Sequence, residues 1–513
     1  MTVKEKIAEG KTFLGIELGS TRIKACLIGD NFAPIASGSH EWENRLENGL
    51  WTYSLDDIHG GLKACYADLK KDVKEKYGVT LKTFGAMGIS AMMHGYMAFD
   101  GDNKLLVPFR TWRNTNTEAA AKELSELFGF NIPMRWSVSH LYQAILNREE
   151  HVPNIAYITT LAGYVHFLLT GERVVGVGEA SGMFPVNGGG YDKKMAEKFK
   201  ERSGADIEKV FPRVLFAGEK AGTLTESGAS FLDPEGDLKA GVMLCPPEGD
   251  AGTGMTATNS VRAGTGNISA GTSVFSMLTL EKPLDNYYPE IDMVTTPDGV
   301  PSAMVHCNNC CGEIDAWVNI FDKVIYLSGN DIHKSTLYEI FYRYAESGDP
   351  DCGGVTAYNF LSAEPVVGVQ EGRPMYFRTP DSKMNLANFA RAQIYSAFAS
   401  LKIGMDILFE KEKVSAKQFT GHGGMFKVRG VAQQFLANAL NTPICVMETA
   451  GEGGAWGMAL LAAYTVCKGE KSLPDWLDKE VFADMEKTTL SPDKNGSEGF
   501  ARYLERFKAG LFS

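Results

Sequence analysis

The chain has 513 residues, more than one hydrophobic core usually supports, so two large domains are expected, with three an option. Hydrophobic residues make up 44% and charged residues 22%, ordinary globular usage that gives no reason to expect extensive disorder. Lys and Arg total 51 against 63 Asp and Glu, and the formal charge of -12 disfavours non-specific binding to nucleic acid or an anionic membrane, so a small anionic ligand has to be met by local cations, backbone amides or a metal.

The N-terminus, MTVKEKIAEGKTFLGIELG, has charges where a signal peptide carries its apolar stretch, and no run of about 18 apolar residues occurs, so a cytoplasmic protein is expected. Nine scattered cysteines fit reduced thiols better than a disulfide framework. Phe13 to Leu18 is short and apolar, Gly19-Ser20-Thr21 breaks it, and Ile23 to Ile28 resumes, the pattern of a β-hairpin. Ala86 to Ser90 reads as a strand leading into Met92-Met93-His94-Gly95, and Leu161 to Leu169 as a helix stopped by Thr170-Gly171. Further on, Pro246-Pro247-Glu248-Gly249-Asp250-Ala251-Gly252-Thr253-Gly254 holds an acid on a loop of small residues. A second hairpin follows, with Ile268 and the run Val274 to Leu278 flanking Ala270-Gly271-Thr272-Ser273.

Cys307, Cys310 and Cys311 beside His306 have a spacing that could supply zinc ligands, but no second Cys or His pair follows, and buried thiols are the plainer reading. Ile394, Phe398, Leu401, Met405 and Leu408 recur at the steps of an amphipathic helix. Phe419 to Lys427 brings an apolar entry onto Gly421, Gly423 and Gly424 before the helix-like run Val431 to Leu440. After Lys468, the spaced aromatics Trp476, Phe482, Phe500, Tyr503 and Phe507 read as helices packing against the second domain. Strands and helices alternate throughout, which argues the α/β class. The recurrence of a glycine-turn hairpin near residues 19 and 271 suggests two similarly built halves, 1–258 and 259–513.

Turns that aim several backbone amides at one point bind anions, and two such turns could grip one polyphosphate from opposite sides. A Walker loop and a full GxGxxG fingerprint are both missing from the sequence. Each glycine turn by itself is more often a plain hairpin than a phosphate site. Asp250 is the candidate base, because small neighbours let a substrate approach it closely, with a helix-capping role as the alternative. His94, on an apolar background, reads by default as a satisfied core histidine.

Together these residues resemble the FGGY family of carbohydrate kinases, within the superfamily of sugar kinases, heat-shock chaperones and actin. Glu17-Leu18-Gly19-Ser20-Thr21-Arg22-Ile23-Lys24 resembles the family's first phosphate motif and Gly271-Thr272-Ser273 its second. Met93-His94-Gly95 resembles the sugar-contact motif of xylulokinases, Gly249-Asp250-Ala251 their catalytic-base loop, and Gly423-Gly424 with Met425 their adenosine motif. Glu179-Ala180-Ser181-Gly182, Arg391-Ala392 and Gly453-Gly454-Ala455-Trp456-Gly457 also correspond, so the resemblance runs in order from about residue 12 to about residue 466.

The resemblance implies two ribonuclease-H-like (actin-like ATPase) domains flanking a catalytic cleft, with the sugar mainly in the first and ATP mainly against the second. It implies a transferase moving the γ-phosphoryl group of ATP to a sugar hydroxyl, with Asp250 as general base and Mg2+ bridging phosphate oxygens. It further implies substrate contacts at Met93, His94, Gly95, Arg113, Asn114 and Asp250, and nucleotide contacts at Gly19, Ser20, Thr21, Lys24, Gly271, Thr272, Ser273, Gly423, Gly424 and Met425. Glu17 and Asp250 would hold the metal, directly or through water. Three positions depart from the family pattern: Glu17 stands where most relatives carry Asp, His422 interrupts a triple glycine, and Arg113 intrudes on a Trp-Asn-Asp stretch. Arg110 and Arg113 have the alternative of capping a helix from Thr117 to Phe128. The expected acceptor is a ketopentose such as xylulose. Another ketose or polyol, or a non-kinase ATP-binding or ATPase protein on the same fold, are the alternatives, and a homodimer is left open.

Overall fold

Runs such as FLGIEL and IKACLI carry one charged residue each, Glu17 and Lys24, among apolar ones, so they become strands largely covered on both faces. The structure, a computed structural model, describes residues 1–447 and 453–511. They fall into two units. The first comprises Met1–Val261, Met293–Pro301 and Glu452–Asp484, and the second Arg262–Asp292, Ser302–Gly451 and Met485–Ser513. The first crossing, after Val261, lies beside the expected boundary at 258, but two later segments return to the first unit.

In the first unit, β1 (Phe13–Leu18), β2 (Arg22–Ile28) and β3 (Pro34–Glu41) are antiparallel neighbours. Next in chain order come β4 (Ala86–Ala91), β5 (Gly222–Thr223), β6 (Met243–Leu244) and β7 (Glu248–Gly249). Strand β4 lies parallel to β1 on its other side, β6 and β7 pair parallel with β4, and β5 closes the edge against β6. Helix α1 (Leu55–Tyr77) is started by Ser54, whose hydroxyl accepts from the Asp57 amide while the Asp57 carboxylate accepts in return, and it is ended by Gly78 in the left-handed region. It crosses β3 at Gly38, where a Cβ would lie 2.4 Å from the Cys65 carbonyl oxygen, so only glycine allows that approach.

In the second unit the same plan recurs. Strands β8 (Thr265–Ala270), β9 (Val274–Thr279) and β10 (Pro301–Cys307) are antiparallel neighbours. Strand β11 (Gln418–His422) then lies parallel to β8, β12 (Ile444–Met447) parallel to β11, and β13 (Lys487–Leu490) antiparallel to β12. An antiparallel triplet continued by parallel strands is the ribonuclease-H-like order, and both expected hairpins are present. The expected amphipathic helix runs Leu386–Asp406, with Ile394, Phe398, Leu401 and Met405 fully buried, while Leu408 falls in the π turn Ile407–Lys411. Arg391, on that helix, donates from Nε to the Ala345 carbonyl at 2.9 Å and from Nη2 to that of Glu346 at 3.0 Å, so it caps the helix Lys334–Ala345.

One expectation is corrected. Trp476 and Phe482 pack in the first unit, not the second, whereas Phe500, Tyr503 and Phe507 do lie on the second unit's helix Lys494–Ala509. The helix Gly453–Cys467 carries the chain back. It is apolar all round and buried from Gly454 to Tyr464, which demands a slot inside a core. Gly15 opens the slot: a Cβ there would lie 2.1 Å from the Ala455 carbonyl oxygen and 2.3 Å from the Ala459 nitrogen. Trp456 then donates from Nε1 to the Phe32 carbonyl at 2.9 Å, and Trp476 meets the Phe32 ring edge-on at 4.9 Å.

Candidate active site

The turn between β1 and β2 is closed by the Gly19 amide donating to the Arg22 carbonyl at 3.0 Å. Its carbonyls are taken up by ring donors: Trp42 Nε1 donates to Gly19 O at 2.7 Å and the Tyr53 hydroxyl to Ser20 O at 2.6 Å, the two rings stacking at 4.2 Å. Trp112 Nε1 adds a bond to the Ser20 hydroxyl at 3.2 Å. Occupying these carbonyls removes negative dipole ends that would repel a phosphate. Glu17 and Lys24 stand opposite each other in the β1–β2 register. Thr21, Lys24 and Trp42 line a recess of about 720 Å³ beside the turn.

At the end of β4, His94 has φ 73° and Gly95 φ 92°, two successive left-handed residues that turn the chain sharply. A Cβ on Gly95 would lie 2.9 Å from the Arg110 carbonyl oxygen, so the position requires glycine twice over. His94 is buried, and its Nδ1 donates to the Gly182 carbonyl at 3.2 Å, which leaves Nε2 as an acceptor. Burial, then the Arg135 charge, holds its pKa well below the usual imidazole value, so it stays neutral. Its ring stacks against Trp136 at 6.4 Å.

Asp250 opens the helix Asp250–Ala257, and its Oδ1 accepts from the Met93 amide at 3.1 Å. The carboxylate is open to solvent, yet the protein mass around it pushes its pKa up, opposed by backbone amides, the Met93 bond foremost, and by Arg135. Glu17 is pushed up to about 7 by desolvation and next by the Asp250 charge, while Lys24 and the Ala455 amide pull it down. Two fully buried acids stand behind them. Glu248 rises to about 8 through desolvation even though it accepts from the amides of Gly178 at 3.2 Å and Glu179 at 2.9 Å. Glu179 is raised well above the usual carboxylate value by desolvation, which the Thr160 hydroxyl only partly offsets. The small residues of the base loop answer to these acids: a Cβ on Gly249 would lie 2.4 Å from Glu179 Oε2.

Glu17 and Asp250 crowd negative charge into one place with Lys24 as the near counter-charge, which suits a hard divalent cation. No group of three or more His, Cys, Asp or Glu able to hold a metal occurs among the described residues. That gives the zinc reading of Cys307, Cys310 and Cys311 nothing to stand on.

Those cysteines have a different place. In the second unit the Gly271-Thr272-Ser273 turn is closed by the Gly271 amide on Ser273 O at 2.9 Å, and the amides of Cys310 and Cys311 donate to Thr272 O and Gly271 O, each at 3.0 Å. Cys310 Sγ lies 3.4 Å from Sδ of buried Met425. Gly423, at φ 104°, passes so close to β8 that a Cβ would lie 2.4 Å from Ala270 O. The Gly271-Thr272-Ser273 turn and the Gly423-Gly424 segment are therefore adjacent. Gly423, Gly424, Lys427, Arg429 and Lys487 line a cavity of about 750 Å³ there, and His422 beside them is kept neutral by burial, its pKa pushed down to about 4.

Arg113 and Asn114 both reach Trp51. The exposed Arg113 guanidinium stacks 3.7 Å from the Trp51 ring centroid. Buried Asn114 accepts from the Trp51 amide at 2.9 Å and donates to the carbonyls of Trp51 at 2.8 Å and Thr111 at 3.0 Å, so its amide holds the loop together. The helix after them begins at Glu118 without a side-chain cap. Arg110 is paired with Glu149. Sequence reasoning missed Arg135, whose charge acts on both His94 and Asp250, and gave no role to Glu248. Arg135 sits in no periodic pattern that would mark it; two prolines and a glutamate just before Gly-Asp were a signal for the second.

Asp250 bonded to the Met93 amide beside a neutral His94, with a glycine–hydroxyl turn in each unit, fits a phosphotransferase with an alcohol group as acceptor. Residues 12–234 match the N-terminal domain of the FGGY family of carbohydrate kinases and residues 266–466 its C-terminal domain. The chain belongs to the FGGY family of carbohydrate kinases. It is 23% identical over 443 residues to a xylulose kinase of Haemophilus influenzae, covering 82% of this chain and 83% of that one. In fold it is similar to a ligand-bound xylulose kinase of Lactobacillus acidophilus (TM-score 0.78, 16% identity) and to a gluconate kinase of the same organism (TM-score 0.79, 16% identity), each alignment covering 97% of this chain and 98% of the other. No helix among the described residues is long and apolar enough to cross a membrane.

Proposed function

We propose that this kinase phosphorylates a ketopentose such as xylulose at the expense of ATP, with Asp250 as general base. The observation that carries the reading is the 3.1 Å bond from the Met93 amide to Asp250 Oδ1, which seats the acid next to His94 in the sugar-contact motif. The acceptor hydroxyl gives its proton to the Asp250 carboxylate as its oxygen attacks the γ-phosphorus, and the bond to the β-phosphate oxygen breaks to release ADP. His94 Nε2 accepts from a second sugar hydroxyl and, being neutral, adds no charge. The turns at Gly19 to Thr21 and Gly271 to Ser273, with Lys24, orient the phosphates, and adenosine occupies the cavity at Gly423 and Gly424. Mg2+ held by Glu17 and Asp250 would neutralise charge on the phosphate oxygens. Positioning and charge neutralisation supply most of the rate in such transfers, so the turns matter as much as the base.

A second reading rests on Arg135. A cation acting on both Asp250 and His94 suits an acceptor with a carboxylate, such as gluconate. The test is ADP release with Mg2+ and ATP across ketoses, polyols, aldoses and sugar acids, with a no-acceptor control. Stimulation by xylulose or a near relative supports the first reading, stimulation by an aldonate the second, and release independent of any acceptor contradicts both.

A further inference from the structure

We propose that Glu248 is a positioning residue: its carboxylate, seated in a cradle that Gly176 and Gly178 leave open, ties the segment behind His94 to the strand that presents Asp250. The inference rests on the assignment of Asp250 as base.

Two separate pieces of chain meet at this carboxylate. One is residues 176–182, which carry Glu179 and end on Gly182, whose carbonyl accepts the hydrogen bond from His94 Nδ1. The other is β7, where Glu248 pairs with Ser90 and Gly249 with Ala91, two residues before Met93 on one strand and immediately before Asp250 on the other. Glu248 joins them with both oxygens, Oε1 accepting from the Gly178 amide at 3.2 Å and Oε2 from the Glu179 amide at 2.9 Å. A backbone bond from the Gly176 amide to Pro247 O at 2.8 Å runs alongside.

The cradle is complementary to this side chain. A Cβ at Gly176 would lie 2.0 Å from Glu248 Oε1 and one at Gly178 2.5 Å from Oε2, so an alanine at either position forces the Glu248 carboxyl group to move. Gly252, in the first turn of the Asp250 helix, comes next, its Cβ position 3.2 Å from Oε2. A carboxylate buried this fully is costly and is tolerated where several donors satisfy it. Here the donors belong to the backbone that fixes His94. Loss of the tie would let the base loop drift from the sugar motif, and displacement of a reacting group by about 1 Å costs on the order of 100-fold in rate.

The test compares Glu248→Ala, Glu248→Gln, Gly176→Ala and the double variant Gly176→Ala/Glu248→Ala in steady-state kinetics with the acceptor found in the panel, alongside thermal unfolding. Glu248→Ala is expected to lower kcat on the order of 100-fold with KM for ATP within about twofold of the parent. Glu248→Gln, which keeps the shape and one acceptor oxygen, is expected to recover part of that loss. The double variant is expected to be no worse than Gly176→Ala alone, because the new methyl enters space the carboxylate has left. Unchanged kcat in Glu248→Ala, or strictly additive losses in the double variant, would overturn the proposal. Should Glu248→Ala fail to fold, Glu248→Gln and the double variant decide it. Full turnover in Asp250→Asn would instead remove the base assignment, and the non-additivity between residues 176 and 248 in unfolding would still be read separately.

Discussion

A Cβ on Gly454 would stand 2.2 Å from Oε1 of Glu17 and 2.8 Å from the Thr253 hydroxyl. The glycine leaves room for the Glu17 carboxylate at this crossing. Its neighbour Gly457 serves the same crossing, with a Cβ position 2.0 Å from Thr253 O.

Gly454→Ala therefore gains helix propensity of about 1 kcal/mol but pays overpacking of about 1–3 kcal/mol, so the melting temperature falls slightly. The larger effect is displacement of Glu17. The Mg2+ concentration needed for half-maximal turnover is expected to rise by about tenfold or more, as measured by titrating Mg2+ at fixed ATP. An unaltered Mg2+ dependence would separate Glu17 from the metal.

Asn114 tests whether a motif position that resembles a sugar contact acts as one. Its amide is bonded to Trp51 and Thr111, so Asn114→Ala is expected to cost about 1–3 kcal/mol of stability while KM for the acceptor stays within about threefold. A tenfold rise in that KM at unchanged melting temperature would return Asn114 to the sugar pocket.

These residues show where sequence reading reached and where it stopped. Both hairpins were legible because glycine and hydroxyl residues interrupt short apolar runs, and the helix from Leu386 was legible because its apolar spacing is local. The return of residues 453–484 to the first unit left no local mark, since it depends on the absent side chain of Gly15 meeting the backbone of Ala455 far along the chain. Glu248 was hidden for the same reason, its meaning lying in two glycines about seventy residues upstream. Nor did the sequence show that the Asn114 amide bonds within its own loop or that Arg113 stacks on Trp51, since both depend on a residue about sixty positions earlier.

His140 should make stability depend on pH in the acidic range. Burial, with the Arg110 charge adding to it, pushes its pKa down to about 3. The unfolded chain takes a proton on this residue near pH 6.5 and the folded chain does not until about pH 3, so acidification through that window favours unfolding, by up to about 1.4 kcal/mol per pH unit for this group. Thermal unfolding of His140→Phe should therefore fall less steeply between pH 6.5 and pH 4 than that of the parent; parallel curves would show that the histidine is protonated in the folded chain.

The most direct measurement is turnover and ATP binding of Asp250→Asn side by side with the parent, using the acceptor found in the panel. The account predicts that ATP binds within a few-fold of normal while acceptor-dependent ADP release falls about 100 to 10,000-fold, the range of a positioned general base. Full turnover in that variant would contradict it.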